Sequence, residues 1–162
     1  MDLTGWIRAA PFVFLAHDAE EILTVEPWLL VHRAELPAVV QPFAAVSTEQ
    51  FAIAVAILFV GFLAATIHAV RQARRGRVSA PFMIIAGALV ANALTHLGQA
   101  AYFRSYTPGV VTALVLVLPY GYAFGRRLLE SGLVTRRTLA SVIAIGAVAQ
   151  IPIAVLALLA VR

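Results

Sequence analysis

The chain has 162 residues, of which 62% are hydrophobic and 12% charged, with a formal net charge of +4 and no cysteine. An ordinary soluble domain carries roughly 25% charged residues, and one of this length could not hide so much apolar surface around a single core, so a soluble fold is excluded. Disulfides, thiolate metal sites and cysteine nucleophiles are excluded as well.

The first apolar segment, Trp6–Val25, is interrupted by His17-Asp18-Ala19-Glu20-Glu21 and is expected to span with that polar face turned inward. An alternative lays it along the membrane surface with its acids in water. The connection Glu26–Thr48 contains Pro27, Pro37 and Pro42, which argue against one continuous helix. Its Trp28-Leu29-Leu30-Val31 stretch suits a segment dipping into the interface, either as a cover over a site or as a plain anchor. Four further segments, Phe51–Val70, Val78–Phe103, Ser105–Gly125 and Thr138–Val161, are each long and apolar enough to cross a bilayer. Gly61-x-x-x-Ala65 and Gly87-x-x-x-Ala91 are small-residue spacings that favour close helix packing. Pro108-Gly109 reads as a turn opening the fourth helix, and Pro119 and Pro152 as kinks.

All twelve basic residues are arginines, set at the ends of apolar runs, so topology accounts for them better than a nucleic-acid partner does. Arg71, Arg74, Arg75 and Arg77 follow the second segment, while Arg126, Arg127, Arg136 and Arg137 flank the link between the fourth and fifth. Both links are therefore placed on the cytoplasmic side. The expected architecture is all-α: one transmembrane domain over the whole chain, with about five helices at about 6–25, 50–72, 79–103, 107–128 and 138–161. The N-terminus is cytoplasmic and the 26–48 loop external.

Helical geometry groups the polar residues. With His17 at zero, Glu21 falls at about +40°, Glu20 at about −60°, Thr24 at about −20° and Asp18 at about +100°. Asn92, His96 and Gln99 form a second stripe on the third segment. Both stripes begin roughly 18 Å from the cytoplasmic ends of their helices, so they lie level in the bilayer. His68 is placed at the cytoplasmic interface. Asn92 and Gln99 alone would suit hydrogen-bonded packing between helices, but Asp18, Glu20 and Glu21 put three acids in one turn with no arginine at their depth. Each costs a few kcal/mol at a helix centre, so they call for protonation, His⁺ or a bound cation. Candidate ligands are His17, Glu20, Glu21, His96 and Asn92, a nitrogen and oxygen shell suited to Zn²⁺ first, with Fe²⁺ or Mn²⁺ as alternatives. Glu20, Glu21 and Asp18 are the candidate proton-transfer groups.

His17-Asp18-Ala19-Glu20-Glu21 resembles the signature of the HXXEE-domain family of small bacterial membrane proteins, and Asn92-x-x-x-His96 with Tyr106-x-Pro108-Gly109-x-x-Thr112 is similar to the second half of its pattern. The resemblance implies a multi-helix membrane fold in small bacterial proteins but supplies no activity, because the family's function is unknown; the localisation expected is the bacterial inner membrane. The residues themselves point to a metal-dependent intramembrane enzyme, a hydrolase or an isomerase, acting on a small hydrophobic or lipid-like substrate. Alternatives are a metal-free acid–base isomerase or cyclase using a buried glutamate, a proton- or metal-ion-coupled transporter, and a metal-binding membrane factor. A homo-oligomer is left open.

Overall fold

The computed structural model describes residues 2–38, 41 and 44–161. It is all-helical, with five helices and no strand among the described residues. Helix α1 is Leu3–His32, followed by a 3₁₀ turn at Arg33–Glu35; α2 is Thr48–Ala73 and α3 is Ala80–Phe103. The fourth helix, α4, runs in three stretches: an α turn at Val110–Thr112, a π-helical stretch at Ala113–Val117 and an α-helix at Leu118–Glu130. Helix α5 is Arg136–Leu159. By length and composition α2, α3 and α5 could each cross a membrane.

Two boundaries differ from the sequence expectation for physical reasons. Helix α1 does not stop near Val25 but continues through Pro27 to His32. A proline inside a helix costs about 3 kcal/mol locally. The turn beyond it is held by tertiary contacts: the Trp28 indole packs edge-on against Phe103 at 5.0 Å, and His32 stacks on Trp28 at 4.5 Å. The connection thus begins seven residues later, and Pro42 lies outside the described residues. In α4 the expected kink at Pro119 takes the form of a π turn. Pro119 has no amide hydrogen for the carbonyl of Val115, and its ring would clash there. The backbone widens instead, and the Leu118 N–H reaches back five residues to the Ala113 carbonyl.

The helices share a core rich in aromatic rings. Ile7, Ala10 and Val13 of α1 meet Phe62, Phe82, Val117, Phe124 and Leu128 from the next three helices. Phe82 sits between Phe62 and Phe124, with ring centroids at 5.9 and 6.0 Å. Helices α3 and α5 approach backbone to backbone at Gly87, where a Cβ would lie 2.5 Å from the Val142 carbonyl oxygen. The expected role of the Gly87 spacing in close packing is realised there. Gly61 has open space around it and takes no part in such a contact. The Glu26 carboxylate ties the two ends of the long connection together. One of its oxygens accepts from both the amide and the hydroxyl of Thr48, each at 2.6 Å, beside the Ser47–Gln50 capping box of α2.

Candidate metal centre

Beyond the apolar core the same helices turn polar. Helix α1 passes from Val13 to His17, Asp18 and Glu21, all buried, and α3 passes from Ala93 to buried His96. The two imidazoles meet edge-on with centroids 5.1 Å apart. Glu21 Oε1 lies 2.6 Å from His96 Nε2 and 3.3 Å from His17 Nε2. The Asn92 amide nitrogen faces the same two atoms, at 2.9 Å from His96 Nε2 and 3.3 Å from His17 Nε2. The two polar stripes are therefore level and in contact.

Hydrogen bonding inside the protein does not satisfy this cluster. His96 Nε2 cannot accept from Asn92 and donate to Glu21 at once, because one ring nitrogen carries either a proton or a lone pair. Among the described residues Glu21 Oε1 accepts no hydrogen bond of acceptable geometry despite the short approach, and His96 Nδ1 has no partner either. One ligand atom from each of His17, Glu21 and His96 lies within 4.8 Å of the others. Tetrahedral bonds of about 2.0–2.1 Å place ligand atoms about 3.4 Å apart, so the set could hold a small divalent ion once His96 Nε2 and Glu21 Oε1, now 2.6 Å apart, separate by several tenths of an ångström. The Asn92 side chain would then turn its carbonyl oxygen inward, since an amide presents a donor on one side and an acceptor on the other.

A third element fixes His17. Glu20 Oε2 accepts from the Thr112 amide at 2.7 Å and from the Thr112 hydroxyl at 2.5 Å. Its other oxygen accepts from the Val111 amide at 3.3 Å and the Tyr106 hydroxyl at 2.9 Å. With its proton given to Glu20, the Thr112 hydroxyl must accept at its 2.8 Å contact with His17 Nδ1. That contact makes Nδ1 the protonated nitrogen and leaves a lone pair on Nε2, aimed at Glu21 and Asn92. Imidazoles that bind metals are held in this way, through a hydrogen bond from the opposite nitrogen.

The two adjacent glutamates therefore have different surroundings. Glu21 is in the cluster, whereas Glu20 caps the exposed amides at the start of α4 and supports His17 through Thr112. Asp18 is buried, and its Oδ2 has no hydrogen-bond partner among the described residues. Gln99 is exposed and lies outside the cluster, although it shares the stripe of Asn92 and His96. His68 is exposed and contacts Gln72.

The loop between α3 and α4 closes the site. Arg104 and Gly109 both take left-handed backbone, at φ 52° and 81°. A Cβ on Gly109 would lie 2.8 Å from Glu21 Oε1 and 3.0 Å from Cε1 of both His17 and His96. Glycine is required there twice, by the backbone angle and by the ring atoms beneath it. Tyr106 lies over Glu20 and donates to it. Burial, and then the Glu20 carboxylate, hold the Tyr106 phenol above its ordinary pKa, so it remains a donor. The Trp28 indole donates to the Tyr106 carbonyl at 2.9 Å, which ties the end of α1 to this loop. From the sequence alone Gly109 reads as a turn and Thr112 only as part of a pattern. The signal available in advance was that Pro108-Gly109-x-x-Thr112 opens a helix whose first amides need an acceptor.

No curated protein and no solved structure matches this chain. Residues 8–124 match the family described as "Protein of unknown function with HXXEE motif", and with His17-Asp18-Ala19-Glu20-Glu21 at the heart of its buried cluster the chain belongs to that family.

Proposed function

We propose that this protein is an intramembrane metalloenzyme that holds one divalent ion, Zn²⁺ by preference, at His17, Glu21 and His96, and acts on a small hydrophobic or lipid-like substrate by hydrolysis or proton transfer. The observation that carries this reading is the convergence of two imidazole nitrogens and one carboxylate oxygen within 4.8 Å, with Glu21 Oε1 lacking a proper hydrogen bond. Two histidines and a glutamate are a donor set of catalytic zinc, which leaves a position open to water or substrate. A bound ion would supply Lewis acidity and lower the pKa of a bound water.

The chain's own residues have separable tasks in this reading. His17 is oriented by Thr112 and Glu20, Asn92 positions the imidazoles or adds an oxygen donor, and Asp18 is the buried carboxyl free to take a proton. The loop carrying Tyr106 and Gly109, held by Trp28, keeps water from the cluster. The lipid-like substrate is supported by the outer face of α1 near the site, where Leu23, Leu30 and Val31 are exposed. The arginine-rich links support an N-terminus at the cytoplasmic face, in what this reading takes to be a bacterial inner membrane.

The test begins with elemental analysis of detergent-purified protein, with Glu21→Ala and His96→Ala beside it. Stoichiometric metal in the parent and its loss in both variants is the expected result. The parent is then incubated with hydrophobic esters and a membrane lipid extract, and products are followed by mass spectrometry. Turnover abolished by chelator and restored by Zn²⁺ supports the enzyme. A metal-free parent that still turns over substrate would replace the metal with acid–base chemistry at Asp18 and Glu21. A metal-loaded parent that moves the ion into proteoliposomes without turnover would make it a transporter.

A further inference from the structure

We propose that the groove between α3, α4 and α5 is a binding site for an anionic phospholipid, with an acyl chain along its apolar lining and the phosphate at Arg126 and Arg136. The cavity has a volume of about 630 Å³ and is lined by Leu89, Val90, Leu94, Leu118 and Leu139, among others, with the two arginines also in its wall. Pockets of this size, mostly apolar with a few polar groups, are typical small-molecule sites. Ala86, Gly121 and Gly125 also line the groove, and at its floor a Cβ on Gly121 would lie 2.6 Å from Val90 and one on Gly125 3.2 Å from Leu139, so α4 packs closely on α3 and α5 there. The one aromatic hydroxyl in its wall with a buried partner is already used, since Tyr120 donates to the Trp6 carbonyl at 2.8 Å.

Length and charge identify the occupant. On α3 the lining runs from Met83 to Leu94, about 16 Å at 1.5 Å per residue. That is about half of the roughly 30 Å hydrocarbon core, or one leaflet. Charge is concentrated in the α4–α5 link. Arg126, Arg127, Arg136 and Arg137 carry four positive charges against the single Glu130. Glu130 is shared, 2.7 Å from Arg126 Nε and 3.2 Å from Arg127, and Arg136 has no carboxylate in ion-pairing range among the described residues. The groove thus joins a leaflet-long apolar channel to the unpaired Arg136 guanidinium and to Arg126, which shares the single Glu130 with Arg127, and guanidinium groups match a phosphate in geometry and charge. Nothing in this inference depends on a metal at the histidine cluster.

The probe is phosphatidylglycerol offered together with phosphatidylcholine at equal concentration to the detergent-purified protein, and bound lipid is read by native mass spectrometry. One phosphatidylglycerol per chain is expected, preferred over phosphatidylcholine by about 10- to 30-fold, as two interfacial arginines provide. Arg126→Gln with Arg136→Gln should bring the two lipids close to parity, and Leu94→Trp, which fills the groove, should reduce retention of both. Arg136→Gln alone changes one exposed side chain, so a partial loss there keeps the test decisive if the double variant is unstable. Equal retention of the two lipids by the parent would overturn the proposal. So would a preference that survives the arginine substitutions, or binding of inorganic phosphate as tight as that of the lipid.

Discussion

Replacing Thr112 with valine keeps the shape of the side chain and deletes one hydroxyl. Glu20 would still accept from the Thr112 amide, the Val111 amide and the Tyr106 hydroxyl, at 2.7, 3.3 and 2.9 Å, so it remains anchored. His17 is fully buried and would lose its only Nδ1 partner, now at 2.8 Å. An orphaned buried donor costs about 1–3 kcal/mol. The imidazole escapes that cost by moving its proton to Nε2, which removes the lone pair that faces Glu21. Losing a supporting group of this kind lowers metal affinity about 10- to 100-fold, or about 1.4 to 2.8 kcal/mol. Competition with a chromophoric chelator in detergent measures the affinity, and ¹⁵N chemical shifts of His17 in the metal-free protein report the tautomer independently of any ion. Thr112→Ser keeps the hydroxyl and should bind within a few-fold of the parent. Parent-like affinity in Thr112→Val, or an equal loss in Thr112→Ser, would refute the relay from Glu20 through Thr112 to His17.

His17→Ala and His96→Ala should each lose most of the metal affinity, with the double variant scarcely worse than either single one; additive losses would mean that the two rings hold separate sites. Gly109→Ala should destabilise the protein by about 1–2 kcal/mol from its left-handed backbone alone, and should also drop metal occupancy as the new methyl displaces Glu21 and the two rings; parent-like melting and metal content would contradict the tight loop. Because the chain has no cysteine, Ala34→Cys and Ser131→Cys can be labelled cleanly with impermeant reagents in oriented vesicles. They should react from opposite faces, and reaction from one face would undo the alternating topology.

Much of the fold was legible because helical periodicity and apolar length are local properties. The five helices, the inward polar face of α1 and the pairing of His17 with His96 and Asn92 all follow from residue spacing and from depth along parallel helices. What the spacing could not give depends on contacts between distant segments. Helix α1 continues past Pro27 because Trp28 and His32 pack on Phe103, seventy residues away or more in the chain, and no local rule contains that contact. Gln99 shares the angular position of the stripe but lies one turn too far along α3, where neighbouring helices no longer cover it. Gly109 and Thr112 carry no chemistry of their own. They matter because the loop before α4 folds onto the cluster, and a helical wheel has no place for a loop.

The division between Glu20 and Glu21 shows how two identical neighbours acquire different roles. They are about 100° apart around α1, so one faces the start of α4 and the other faces α3. The start of a helix presents unpaired amides and the positive end of its dipole. Glu20 meets two such amides and two hydroxyls, and needs no other counter-charge. Glu21 meets the two imidazoles, and among the described residues neither gives Oε1 a well-formed hydrogen bond. A buried carboxylate is tolerated only when compensated, so the compensation must come from a proton or a cation. The His17 tautomer set by Glu20 through Thr112 leaves His96 Nε2, 2.6 Å from Glu21 Oε1, as the imidazole nitrogen able to supply a proton, and the proposed cation is the alternative. The second glutamate of the motif thus sits in the buried cluster with both imidazoles, and the first holds the His17 imidazole that faces it.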